Sequence, residues 1–475
     1  MDELLSQFDQ LEIIESNKGG RLLHYKGYLF KHSYTSKMTG TITWLCIEYP
    51  KKCNSKIYTD GMDKIINIDC FTCERNHLSD PAEIEKRIIC NKIKEDSATK
   101  EHAKPRTIIR ENKQNISNEA AAILPTYDAL RQLVNRNKIN PFKDFPNPQT
   151  LSEIEIPEDF KYIDGELFLQ FDSGKDDPTR ILIFYTSGNL KKLSENPNWY
   201  CDGTFEVAPT LFTQLYTIHA VKNGQNLPLV YGFLPKKTEA MYDVIFMHLK
   251  EKDLSPETIT IDFEMAVINS ITRYFPDALI HGCFFHFRQN LFRHIQECKL
   301  VKDYNNQEDS EVRVNLKKIA ALAFLPISDV VKGYKLLTKK LPSVLDQFLE
   351  YFEPTYIGLE TRRSRKEPLF RIDMWNVHSR SVAGMPRTNN NMEGWHNAFQ
   401  QSIGSHPILV KLLDSIVKEH RLMESNYIPL FAGEKKKKSA KYARYDERII
   451  NLINDYNPKE ILQFLEAMQF NISLD

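Results

Sequence analysis

The chain has 475 residues, 41% hydrophobic and 27% charged, the composition of a folded protein of two or three domains. Lys+Arg and Asp+Glu both total 63, so no global positive field points to nucleic acid, and any such contact must come from local patches. The acidic start MDELLSQFDQLEIIES lacks the plan of a signal peptide, no apolar run approaches the roughly 20 residues of a membrane span, and eight cysteines in so long a chain read as metal ligands or buried thiols rather than a disulfide framework.

Residues 20–80 are short and strand-like: LLHYKGYLFKHSY, TITWLCIEY and KIINIDCF, punctuated by Gly, Lys-Lys and Asp-Gly. Four of the eight cysteines fall between Cys46 and Cys73. Residues 81–140 change to helical spacing, opening with PAEIEKRIICNKIKED and continuing through SNEAAAILPTYDALRQLVNRNK, which Pro125 breaks. Twelve Lys/Arg against eight Asp/Glu give this segment a mild basic bias, which suits either a solvated face or DNA. The Pro-rich INPFKDFPNPQT reads as a linker, set at 141–159.

From 160 to 290 strand and helix patterns alternate. RILIFYT, NWYCDGTF, FTQLYTIHAV and LPLVYGFLP read as strands, the last two joined at Asn223-Gly224, a strong hairpin signal. TEAMYDVIFMHLKE reads as a helix, TITI as a strand, FEMAVINSITRYF as a helix and ALIHGCFF as a further strand-like run. Hairpins followed by β-α-β predict a mixed sheet flanked by helices, an α/β (α+β overall) class. Residues 310–355 look all-helical, and GEKKKKSAKYAR reads as a charged tether before a last helix at PKEILQFLEAMQF. Its lysine run at 435–438 suits a nuclear localisation signal, a phosphate contact or a solvated linker.

Three acids stand out against this background. Asp202 lies inside an apolar strand, where a carboxylate is costly unless paired or metal-bound, although an Asp-Gly turn is an alternative. Asp262 follows TITI and could equally cap the next helix. Glu393, in NNNMEGWH, lies in a first helical turn, either as a dipole-favoured acid or aimed at the sheet. Met392, Trp395, Phe399 and Ile403 form the packing stripe of that helix, and Glu393, His396, Asn397 and Gln400 the adjoining one. Strand, strand-end and helix carboxylates can together hold two divalent cations roughly 4 Å apart. Hard oxygen ligands suit Mg²⁺ or Mn²⁺.

YCDGTFEVAP, TIDFEMAVINSI, HGCFFHFRQNLFRHI, YFEPTYIG and NNNMEGWHNAF, in this order, resemble the Mutator-like element (MULE) transposase domain, over roughly residues 160–420. The resemblance implies a ribonuclease H-like fold with a helical insertion, here about 300–370, before the last acid. It also implies that Asp202 and Asp262 are the catalytic aspartates and Glu393 the catalytic glutamate. Asp262 follows Asp202 by 60 residues, and Glu393 follows Asp262 by 131, which leaves room for the insertion. CFFH matches the family's Cys-x-x-His element, giving Cys283 and His286. Two ligands alone do not make a zinc site, so a buried thiol beside a core histidine competes with an accessory role. Trp375 reads as a base-stacking residue or as core, and His396 as a further accessory.

GYLFKHSYTSKMTGTITWLCIEYPKKCNSKIYTDG followed by CERNHLSD resembles the FLYWCH zinc finger, over 15–80. Zinc geometry accepts Cys46, Cys53 and His77. The family ends in His-x-His, but Arg75 stands where the first His belongs, so Cys73, or Cys70, is the substitute fourth ligand. The expectation is a nuclear, Zn²⁺-bearing DNA transposase that cuts and joins double-stranded DNA with Mg²⁺ or Mn²⁺. The finger and residues 81–140 would bind element ends, 421–475 would form a charged tether and C-terminal helix, and the chains would form a homo-oligomer on DNA, with no membrane role. The alternative is a transposase-derived, non-catalytic DNA-binding regulator, or a zinc-finger adaptor for proteins.

Overall fold

The computed structural model describes residues 11–16, 20–61, 64–69, 77–100, 103–138, 141–306, 311–388, 390–433 and 440–474. The chain divides into two compact units, residues 1–144 and 145–475.

In the first unit six strands form an antiparallel meander: β1 (Glu12–Glu15), β2 (Arg21–Tyr25), β3 (Tyr28–Thr35), β4 (Thr41–Cys46), β5 (Lys56–Asp60) and β6 (Lys64–Asp69). Alternation in β4 buries Ile42, Trp44 and Cys46 on one side. Trp44 is fully buried and donates its indole N–H to Thr59 Oγ1 at 2.9 Å. Helix α1 (Pro81–Thr99) follows, capped by Asp80 and opened by Pro81. Helices α2 (Pro105–Asn112), α3 (Asn118–Ile123) and α4 (Tyr127–Asn137) pack on it, and Ile93, Ile108, Leu130 and Val134 are buried where they meet. The break between α3 and α4 falls at Pro125, as the sequence reading expects: Ser117 and Thr126 each cap the helix that follows them.

The second unit is built on a seven-stranded mixed sheet of order β15-β14-β11-β12-β13-β10-β9. The strands are β9 (Leu169–Asp172), β10 (Leu182–Phe184), β11 (Asn198–Thr204), β12 (Gln214–Lys222), β13 (Gln225–Leu234), β14 (Thr258–Ile261) and β15 (Leu279–Gly282); a separate ribbon pairs β7 (Tyr162–Ile163) with β8 (Glu166–Leu167). β11, β12 and β13 run antiparallel, and β14 and β15 lie parallel to β11. The β12–β13 hairpin turns at Asn223 and Gly224, both at positive φ, which this tight turn requires. Helices α5 (Glu239–Lys250) and α6 (Met265–Tyr274) make the two crossovers to β14 and β15.

The two faces of the sheet have separate cores. Trp199, Cys201, Tyr216 and Ile218 join Tyr242, Phe246 and Ile271 in one; Leu215, Tyr231 and Phe233 join Phe399, Leu412 and Ile416 in the other. A helical array follows β15, from α7 (Phe284–Glu297) through α8 (Glu311–Ala321), α9 (Ile327–Thr338) and α10 (Asp346–Phe352). Helices α11 (Asn390–Ile403) and α12 (Leu409–Phe431) then return to cover the second face.

The tether expected at the C-terminal end is corrected on the described residues. α12 runs straight through position 420, residues 440–454 form helix α13 (Ala440–Asn454), and Ile449 and Ile453 are buried with Phe464 and Leu465 of α14 (Ile461–Met468) in the main core. The lysines at 435–438 dominate the local composition, but the apolar residues beyond them recur at helical spacing and decide the packing. The lysine run itself lies outside the described residues.

Candidate active site

Sheet register brings two of the three acids to one level. Tyr200 of β11 pairs with Thr260 of β14 in a parallel ladder, and Asp202 and Asp262 each lie two residues beyond this pair. Period-2 alternation turns Cys201 into one core and Asp202 toward the opposite face. Asp262 does not cap the following helix: Glu264 occupies the N-cap position of α6.

Asp202 is 11% exposed, and its Oδ1 accepts a hydrogen bond from the Gly203 N–H at 2.8 Å. Burial raises its pKa to about 8, with the charges of Asp262 and Glu393 pushing the same way. Asp262 is raised to about 6 by burial and by the neighbouring Glu264 charge, which Lys237 partly offsets. Glu393, in the first turn of α11, is raised to about 7 by burial, against the pull of Arg288. Its Oε1 is buried without a hydrogen-bond partner among the described residues. Three carboxylates in one region, all pushed toward neutrality, mark a place that calls for positive charge.

The three are not equally close. Among the described residues they do not form a set whose ligand atoms all lie within 4.8 Å of one another; Glu393 forms such a set with Cys283 and His286 instead. His396, one turn after Glu393, reaches the first aspartate: its Nδ1 is 3.6 Å from Asp202 Oδ2 and its Nε2 is 3.3 Å from Thr217 Oγ1. Burial, with His286 nearby, lowers His396 to about 4, so the ring is neutral at pH 7.

Sequence reasoning passed over several neighbours. Lys237, beyond the end of β13, pairs with Glu264 at 2.8 Å and stands 4.8 Å over the Phe205 ring. Tyr242 donates to Glu264 Oε1 at 2.9 Å and accepts from buried Gln214 Nε2 at 2.8 Å. A lysine after a strand or a tyrosine in a helix carries no signal of its own; the adjacency of Glu264 to Asp262 was the one available hint. Of the two readings of Trp375, core holds and base stacking is corrected: it is fully buried, stacks on Phe287 with ring centres 5.2 Å apart, and donates to Tyr356 O at 3.0 Å.

In the first unit, Cys46, Cys53 and His77 place their ligand atoms within 4.8 Å of one another, with Cys46 Sγ 3.3 Å from His77 Nε2. Both cysteines are buried, and the donor types fit Zn²⁺. Cys70, Cys73 and Arg75, on which the choice of fourth ligand turns, lie outside the described residues.

Residues 13–73 match the FLYWCH zinc finger domain, and residues 198–290 match the MULE transposase domain. A comparison with curated proteins found no match. Among solved structures, the Drosophila P element transposase strand transfer complex is similar at 11% identity and a TM-score of 0.21, over 84% of this chain and 94% of that one. No described helix is long and apolar enough to cross a membrane. The chain therefore carries a FLYWCH zinc finger domain followed by a MULE transposase domain, the second spanning both Asp202 and Asp262.

Proposed function

We propose that this chain is a DNA transposase in which Asp202, Asp262 and Glu393 hold Mg²⁺ or Mn²⁺ for strand cleavage and strand transfer. The observation that carries the reading is the shared level of Asp202, on β11, and Asp262, just past the end of its parallel neighbour β14, with Glu393 close enough to raise the pKa of Asp202. The strand order β13-β12-β11-β14-β15, with the first three antiparallel and the last two parallel to β11, supports a ribonuclease H-like assignment.

The donor set fits the ions, since hard carboxylate oxygens suit Mg²⁺ and Mn²⁺. When bound, such ions activate an attacking oxygen and stabilise a leaving one. The chain's own residues would then divide the work. Asp202 and Asp262 give up protons to bind metal, and neutral His396 orients the Asp202 carboxylate without competing as a cation. Lys237, 37% exposed, can trade its pairing with Glu264 for a DNA phosphate. In cleavage, a water oxygen bonds to phosphorus and the 3′ oxygen leaves with a proton. In transfer, the oxygen of that 3′-hydroxyl bonds to a target phosphorus, and the target's 3′ oxygen leaves with the proton given up. Double-stranded DNA is thus the substrate, the zinc finger unit and its helices contribute contacts to element ends, and assembly of two or more chains in the nucleus belongs to the same proposal.

The spacing of Glu393 from the aspartates favours one second reading, a DNA-binding regulator without catalysis. One assay separates the two. Wild-type protein with Mn²⁺ and plasmid DNA should nick, while Asp202→Asn, Asp262→Asn and Glu393→Gln each lose cleavage by roughly 10³-fold or more with DNA affinity kept. Salt-sensitive DNA binding with no nicking at all would assign the regulator.

A further inference from the structure

Beside the aspartates the fold assembles donors of a different chemistry. Cys283, His286 and Glu393 each offer a ligand atom, and these atoms all lie within 4.8 Å of one another. Cys283 is the N-cap residue of α7 and His286 stands three residues on, so one turn presents both to the same side. Glu393 arrives from α11.

Backbone hydrogen bonds fix this junction. The Cys283 N–H donates to Ile261 O at 2.7 Å, and the Phe284 N–H donates to Arg387 O at 3.0 Å, just ahead of α11. The buried Arg380 guanidinium donates through Nη2 to Gly282 O at 3.0 Å. The ligands therefore sit on ordered elements, as a metal site needs.

The cluster also carries an unmet demand. Glu393 Oε1 and His286 Nδ1 are both buried without a hydrogen-bond partner among the described residues. Leaving such groups unsatisfied in a buried place is costly, and a bound cation removes the cost. Cys283 is fully buried beside them.

We propose that Cys283, His286 and Glu393 form a second metal site on this chain, selective for Zn²⁺ over Mg²⁺, with a fourth position open to water. Sulfur and imidazole donors with one carboxylate suit a borderline-soft ion, whereas Mg²⁺ wants oxygen alone. Cys283 and His286 by themselves are two ligands short of a tetrahedral site; the fold supplies the third. Glu393 also serves the Mg²⁺ or Mn²⁺ site proposed above, which its two carboxylate oxygens allow; the inference concerns zinc binding and does not depend on DNA cleavage.

Metal content of the full chain tests it, read by elemental analysis and by the sulfur-to-metal charge-transfer band after Co²⁺ replacement. A Cys46→Ser/Cys53→Ser chain, which disables the finger, should still hold about one Zn²⁺. Adding Cys283→Ser should remove that ion and the band. Because Cys283 is fully buried and its replacement could disturb folding, Glu393→Gln serves as a second variant, with Zn²⁺ affinity expected to fall by at least roughly tenfold. Zinc content and affinity unchanged in both variants would overturn the proposal.

Discussion

Asp202 concentrates the cost of the site in one side chain. Its folded pKa, about 8, lies far above that of an exposed aspartate, and Asp262 at about 6 and Glu393 at about 7 follow it. Each group binds its proton more tightly when folded, so each contributes stability that is fully present below the ordinary carboxylate range. That contribution is lost as pH rises through about 6, 7 and 8 in turn. Metal-free protein should therefore melt progressively lower from pH 5 to pH 8. Asp202→Asn should raise the pH 8 melting temperature by about 2–5 °C, because an amide carries no buried charge. Mn²⁺ should stabilise the wild type more at pH 8 than at pH 6, since protons must leave before the ion binds. Calorimetry across this range checks all three, and a flat profile without metal would show that the carboxylates are better solvated than their burial suggests.

At the scale of elements, the end of β11 is held by a relay. Gly203 donates its N–H to Asp202, and a Cβ at this position would collide with the side chain of Gln214, coming within 3.1 Å of its Cδ. Gln214 leads through Tyr242 to Glu264 beside Asp262. Gly203→Ala should cost roughly 1–3 kcal/mol in urea unfolding. Adding Gln214→Ala should recover part of this, giving a coupling of at least about 0.5 kcal/mol in a double-mutant cycle; strict additivity would break the relay. This relay also marks how far the sequence could be read. The strands around Asp202, the hairpin at Asn223-Gly224 and the buried helix stripe of Met392, Phe399 and Ile403 follow from local periodicity, which each segment carries within itself. The Gln214–Tyr242–Glu264 chain and the meeting of Glu393 with Cys283 and His286 join residues from distant elements. No local pattern encodes which of them face one another. Trp375 reads as either core or base-stacking residue for the same reason, since a lone tryptophan looks alike in a core and in a groove.

The two units differ in what can hold them together. The second has cores on both faces of a seven-stranded sheet and a helical array that extends one of them. In the first unit the main cluster of the meander is small, with Leu23, Phe30, Trp44 and Ile57 among its members together with Cys46 and Cys53. A β module of about 60 residues buries too little apolar surface to be secure alone, and metal is the usual remedy. Zn²⁺ on Cys46, Cys53 and His77 would tie the end of β4 to the segment just ahead of α1, closing the meander across the β5–β6 hairpin. Removing zinc from the intact chain with a chelator should therefore raise amide exchange across β2–β5 by at least roughly tenfold, while β11–β14 stay protected. Cys46→Ser should produce the same pattern without chelator. Exchange that is unchanged in β2–β5 would mean that Trp44 and its apolar neighbours suffice, and that the cysteines of the finger are packing residues. Loss of protection in both units in Cys46→Ser, which spares Cys283, His286 and Glu393, would instead make the second unit's stability depend on the finger, which its two large cores argue against.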